Sequence, residues 1–148
     1  MQPKQFKNIF IFIFSTILTT NLLFADPESG CEMDINSLFL TDNNEVFYNS
    51  DTDIGGFQFS VDGAAVNSAS GGDAALAGFT ISAGGSIVLG FSFTGGFIPA
   101  GCGTLLNLEL NGDGTGLSGI VISDINGNSH HFSYYDDAEA GTIYDVTI

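Results

Sequence analysis

The chain has 148 residues, 44% of them hydrophobic, and a formal net charge of −15 at pH 7. Its two basic residues, Lys4 and Lys7, lie near the start, and all 17 acidic residues follow Ala25. A domain with that field and no lysine or arginine repels nucleic acid, anionic lipid heads and phosphorylated substrates.

Lys4 and Lys7 precede an apolar run, IFIFSTILTTNLLFA, that ends on the small residue Ala25. A positive start, a short apolar centre and a small residue before a polar stretch predict a secretory signal peptide over 1–25, cut after Ala25. The bulk of Leu23 keeps a shifted cut or an uncleaved anchor open as alternatives. The run is short and broken by Ser15, Thr16, Thr19, Thr20 and Asn21, so no stable membrane insertion is expected once it is removed. Residues 26–148 then form one domain, secreted or held at the cell surface. Cys31 and Cys102 are the only cysteines. An oxidising compartment and an even count favour one disulfide between them. A pair of free thiols is the other reading, though no CxxC spacing exists and no histidine adjoins either cysteine.

Short apolar runs of period two follow, punctuated by glycine pairs at 55–56, 71–72, 84–85 and 95–96. In chain order the expected strands are MDINSLFLT (33–41), EVFYN (45–49), GFQFSVD (56–62), GFTIS (78–82), SIVLGFSFT (86–94), TLLNLEL (104–110), SGIVISD (118–124), SHHFSY (129–134) and TIYDVTI (142–148). Phe57, Phe59 and Val61 share one face of the third. Ile87, Leu89, Phe91 and Phe93 oppose Val88, Gly90, Ser92 and Thr94 in the fifth. Leu106, Leu108 and Leu110 point inward if Asn107 and Glu109 face water. About nine strands with turns every eight to twelve residues predict an all-β antiparallel sandwich. DAALA (73–77) is long enough for one helical turn.

The acidic turns raise the question of calcium. Glu109, Asn111, Asp113 and Gly114 occupy the first, third, fifth and sixth places of an EF-hand-like loop, but Ile120 stands where its last carboxylate belongs. NGDG between two apolar runs is also a hairpin signal, and that reading is preferred. Asp51 and Asp53 lie on one side of a short extended segment and form a second candidate ligand pair. DNNE (42–45) and DDAE (136–139) read as solvated loops. No cofactor is required, and calcium is the one that these groups would suit.

His130 and His131 point to opposite faces of a strand and so do not share a metal. No GxSxG elbow is present, so nothing points to nucleophilic catalysis, and no catalytic residue is assigned. Sugar binding would need exposed rings. Phe47–Tyr48 and Tyr134–Tyr135 are the candidate pairs, one member of each expected in the core and the other in solvent.

DIGGFQFSVDG (53–63) resembles the cohesin strand in which a glycine leads an aromatic-Gln-Phe run into an acidic turn. GFIPAGCGTLLNLEL (96–110) resembles the later cohesin stretch where a glycine-containing turn opens an alternating leucine strand. GFTISAGGSIVLGFSFTG (78–95) lies between them in the same strand order, so the resemblance spans roughly 45–125. It implies a nine-stranded jelly-roll-like sandwich, related in fold to certain carbohydrate-binding modules. Cohesins are not enzymes: they bind dockerin modules across one sheet face and organise extracellular assemblies. The Cys31–Cys102 pair is not a cohesin hallmark. The expectation is a secreted, non-catalytic module that binds an extracellular protein or polysaccharide. The alternative is a structural subunit of a filament or surface layer, self-associating through edge strands or its N-terminal segment.

Overall fold

Two five-stranded sheets face each other in the computed structural model, which describes residues 25–136. The proposed leader, the strand expected at 142–148 and most of the acidic loop at 136–139 lie outside the described residues. In chain order the strands are β1 (Ser37–Leu40), β2 (Glu45–Ser50), β3 (Gly56–Asp62), β4 (Ala65–Ser70), β5 (Thr80–Gly84), β6 (Ile87–Phe91), β7 (Gly101–Asn111), β8 (Gly116–Ser123), β9 (Ser129–His130) and β10 (Ser133–Tyr134). One sheet runs β10-β1-β2-β7-β4 and the other β5-β6-β3-β8-β9. Every pairing is antiparallel except β1 with β10. A 3-10 turn (Gly30–Glu32) precedes β1, and the short helix α1 (Gly72–Leu76) bridges β4 and β5. The all-β sandwich expected from the alternation is the fold.

The inner faces follow from period two. Phe57, Phe59 and Val61 of β3 are buried, as are Leu38 and Leu40 of β1, Val46 and Tyr48 of β2, and Leu106 and Leu108 of β7. Glu109 beside them is exposed. The rings of Phe57 and Phe59 stack at 6.0 Å, and Phe79 extends the stack at 5.9 Å from Phe57. Aromatic rings supply much of the core volume, which suits a small sandwich with no tryptophan.

Three differences from the periodic reading have local causes. β4 was not expected, because Val66 is its single large apolar residue and small or polar groups fill the rest. The run expected as one strand at 129–134 is two, β9 and β10, one in each sheet. His131 and Phe132 carry the chain across, with Phe132 buried in the core. The first expected strand starts late, because residues 30–36 form the 3-10 turn and a loop over the first sheet.

Cys31 is joined to Cys102 across 71 positions of sequence, their Cα atoms 5.0 Å apart. The bridge ties the 3-10 turn to β7. Asn49 reinforces it by donating its side-chain amide to the Met33 carbonyl at 2.8 Å. This N-terminal segment lies against β2 and β7, and Met33, Phe39 and Phe47 form a separate buried cluster with Tyr134 and Tyr135 partly buried beside them.

Candidate functional site

On the second sheet the outward positions can be read row by row from the pairings. Ser82, Leu89, Gln58 and Val121 lie opposite one another across β5, β6, β3 and β8. Thr80, Phe91, Gly56 and Ser123 form the row on one side of them, and Gly84, Ile87, Ser60 and Ser118 the row on the other. None of these twelve positions carries a charge, in a domain with 17 acidic residues. Ile87, Leu89 and Val121 are 47%, 37% and 48% exposed. Phe93 lies just past β6, also exposed, with its ring edge-on to that of Phe91 at 4.7 Å. Asp62 stands at the end of β3 and takes a 2.7 Å hydrogen bond from the Ser118 hydroxyl.

Two local features make this face. At Gly90 any Cβ would run into the Phe57 ring, so the inner side of β6 holds only Val88 and a bare backbone. The larger residues of β6 are therefore the outward ones. In β8, Ser118 pairs with Ser60 and Val121 with Gln58, leaving two residues, Gly119 and Ile120, opposite Phe59 alone. That is a β-bulge, and Gly119 adopts the positive φ of 59° that suits glycine. The extra residue lets Ile120 and Ile122 both pack against the core while Val121 turns outward.

The other candidate positions are dispersed. Phe47 and Tyr48 are both buried, on opposite faces of β2, so the expectation that one ring of that pair faces solvent is not met. Tyr134 and Tyr135 are half-buried against Phe39, at 5.8 and 6.1 Å between ring centroids. Asp53 accepts a hydrogen bond at 2.9 Å from the Ala100 amide and so joins two loops, while Asp51 is exposed. Glu109 and Asn111 belong to β7, and Asp113 lies in the loop from β7 to β8; that loop crosses from one sheet to the other, so the hairpin expected at NGDG is not formed. Among the described residues no three His, Cys, Asp or Glu side chains are grouped to hold a metal ion.

One polar cluster escaped the sequence reading. Asp124 closes the β8–β9 hairpin by accepting the backbone amides of Asn126 at 2.8 Å and Asn128 at 3.0 Å. Its second oxygen lies 2.9 Å from Nε2 of His130. The histidine, and after it the amide of Asn128, hold the Asp124 carboxyl at about 2, below the usual aspartate range. The signal was present in DINGN (124–128), an aspartate followed by turn-forming asparagines and a glycine.

Among the described residues no helix is long and apolar enough to cross a membrane. Compared with protein-family models, with curated proteins and with solved structures, the chain matches none.

Proposed function

We propose that this is a secreted, non-catalytic binding module whose contact surface is the outer face of β5, β6, β3 and β8. The observation that carries the reading is the absence of charge from twelve adjoining outward positions of so acidic a domain, with Ile87, Leu89, Phe91 and Val121 among them. Apolar side chains spaced by serine, threonine and glycine make a flat surface that loses little on desolvation, the character of an interface centre. The cohesin resemblance of 53–63, 78–95 and 96–110 supports the same reading, because that family binds across a sheet face. An extracellular protein is the favoured partner, with a polysaccharide stacking on Phe91 and Phe93 as its variant.

The filament alternative draws less support from the described strands. β9 and β10 are only two residues long, and at the opposite side β4 and β5 lie against each other. Short or covered edges are poor templates for strand addition.

The test is capture from the native extracellular medium on the immobilised domain, followed by affinity measurement with the purified partner. Leu89→Glu with Val121→Glu should weaken binding by about a hundredfold, given the ~2 kcal/mol or more that a central interface residue carries. A partner held equally well by that variant would place binding elsewhere. A glycan array with bound hits, lost in Phe91→Ser, would move the assignment from protein to polysaccharide.

A further inference from the structure

At one end of the sandwich, α1 lies over β7, and the loop 92–100 leans against the end of the helix. A cleft of about 430 Å³ opens between helix and loop, within the size range of small-molecule sites. Its walls include Asp73 and Leu76 from the helix, Ala77 just past its end, Phe97 and Pro99 from the loop, and Tyr48. Leu76 is 86% exposed and Phe97 41% exposed, so apolar surface flanks the opening. Ile98 anchors the loop beneath, exchanging two backbone hydrogen bonds with Ile54 at 2.8 and 2.9 Å.

Asp73 is the single acid on these walls, and the fold sets it in place. The Tyr48 hydroxyl donates to its Oδ2 at 2.7 Å. At Gly103 a Cβ would stand 2.9 Å from that same oxygen, and at Gly72 it would strike the Leu105 carbonyl. Glycine at both positions lets helix and strand approach closely enough for the contact. Burial first, then the Asp73 hydrogen bond and its charge, push the Tyr48 hydroxyl far above the usual tyrosine range. It therefore keeps its proton and remains a donor, fixing one carboxylate oxygen. Oδ1 makes no hydrogen bond among the described residues, and with no lysine or arginine after Lys7 the chain has no such cation to offer it.

We infer that this cleft binds an alkyl chain ending in an ammonium group, with the cation on Asp73 and the chain against Leu76, Phe97 and Pro99. Two sources share that chemistry: a free aliphatic amine, and a lysine side chain presented by another protein. The acidic field of the domain draws cations toward it, and the apolar walls select those that carry a hydrocarbon tail. The site lies apart from the sheet face proposed above and stands or falls independently of it.

The experiment is an NMR titration of the full exported chain with n-hexylamine, following backbone amides. Saturable shifts are expected at residues 72–77 and 97–102, with n-hexanol and methylamine each much weaker than the amine that combines both features. Asp73→Asn should weaken hexylamine by about tenfold, since it removes the charge that strengthens the hydrogen bond to the ammonium group. Phe97→Ser should weaken it while leaving the Tyr48–Asp73 contact intact, which guards against misfolding of the first variant. Asp113→Asn removes the same charge from the exposed loop between β7 and β8 and should bind as the parent does. The Leu89→Glu, Val121→Glu variant should also bind hexylamine as the parent does. Nα-acetyl-lysine methylamide shifting the same amides would identify the lysine source; hexylamine alone doing so would identify the free amine. Shifts spread over the acidic surface, equal binding by Asp73→Asn, or a response to methyl glycosides in place of amines would overturn the assignment.

Discussion

The two outer faces of the sandwich are built from similar residues and meet opposite fates. On the first sheet, Phe39 and Phe47 face outward from paired positions of β1 and β2, yet they are only 8% and 7% exposed. Met33 joins them in one buried cluster, and the disulfide holds the segment that carries Met33 to β7. On the second sheet, Ile87, Leu89 and Val121 stand open. A covered apolar face contributes to stability; an open one contributes little and is free to meet a partner. The apolar alternation alone does not distinguish the two. Among the described residues, what distinguishes them is a length of chain pinned over one and not the other.

The largest expected effect comes from breaking the pin. Replacing Cys31 and Cys102 with serine should cost about 4 kcal/mol by the chain-entropy model for a loop of this length. Urea unfolding with and without reductant measures it. Parent and variant should differ in the oxidised state and converge under reductant; a variant as stable as the oxidised parent would show that the bridge does not constrain the fold. If release also uncovers the first face, the variant should bind more of an apolar dye than the parent.

Next comes a matched pair of truncations, one per face. Phe39→Ala should cost roughly 3 kcal/mol, at the lower end for a buried phenylalanine because the ring sits beneath a cover and not in the central core. Leu89→Ser should change stability by no more than about 0.5 kcal/mol, as an exposed substitution away from special features does. Equal losses in urea midpoint for the two would remove the distinction between a structural face and a binding face.

The smallest effect concerns the β8–β9 hairpin at the border of the open face. The Asp124 carboxyl titrates near 2 in the folded chain and near 3.8 in the unfolded one. Its contribution is therefore complete above about pH 4 and fades as the pH falls toward 2. Asp124→Asn should flatten that part of the stability profile and slightly lower the urea midpoint across pH 5–8, where the parent carries the whole contribution. An identical acid limb in parent and variant would assign acid sensitivity to other carboxylates.

Much of the fold was legible because strands with one wet face write their pattern into the sequence. GFQFSVD and TLLNLEL gave both strand position and inward face, since large apolar residues alternate there with polar ones. The cysteine pair was legible from its even count. AVNSAS was not, because a strand filled with small residues has little alternation to display. SHHFSY misled because period two is blind to a chain that leaves one sheet and enters the other. The sheet-face site was only half visible: SIVLGFSFT showed two faces with Ile87, Leu89 and Phe91 together, but not which side met the core. The cleft at α1 was not visible at all, since Tyr48, Asp73 and Phe97 are far apart in sequence and meet only when α1 crosses β7.

The residues alone determined an acidic β-sandwich, because composition fixes charge and alternation fixes which side chains travel together. They did not determine which set points inward where no polar set opposes an apolar one, as in β6. Period two relates neighbours to one another but carries no absolute direction, and a one-residue offset reverses every side chain. The tertiary structure supplied that direction at three places. Gly90 is opposite Phe57, and it gives the ring the space that turns the larger side of β6 outward. The extra residue at Gly119–Ile120 reverses the alternation within β8. Met33 of the disulfide-tethered segment, together with Tyr134 and Tyr135, covers Phe39 and Phe47, which β1 and β2 leave facing away from the central core.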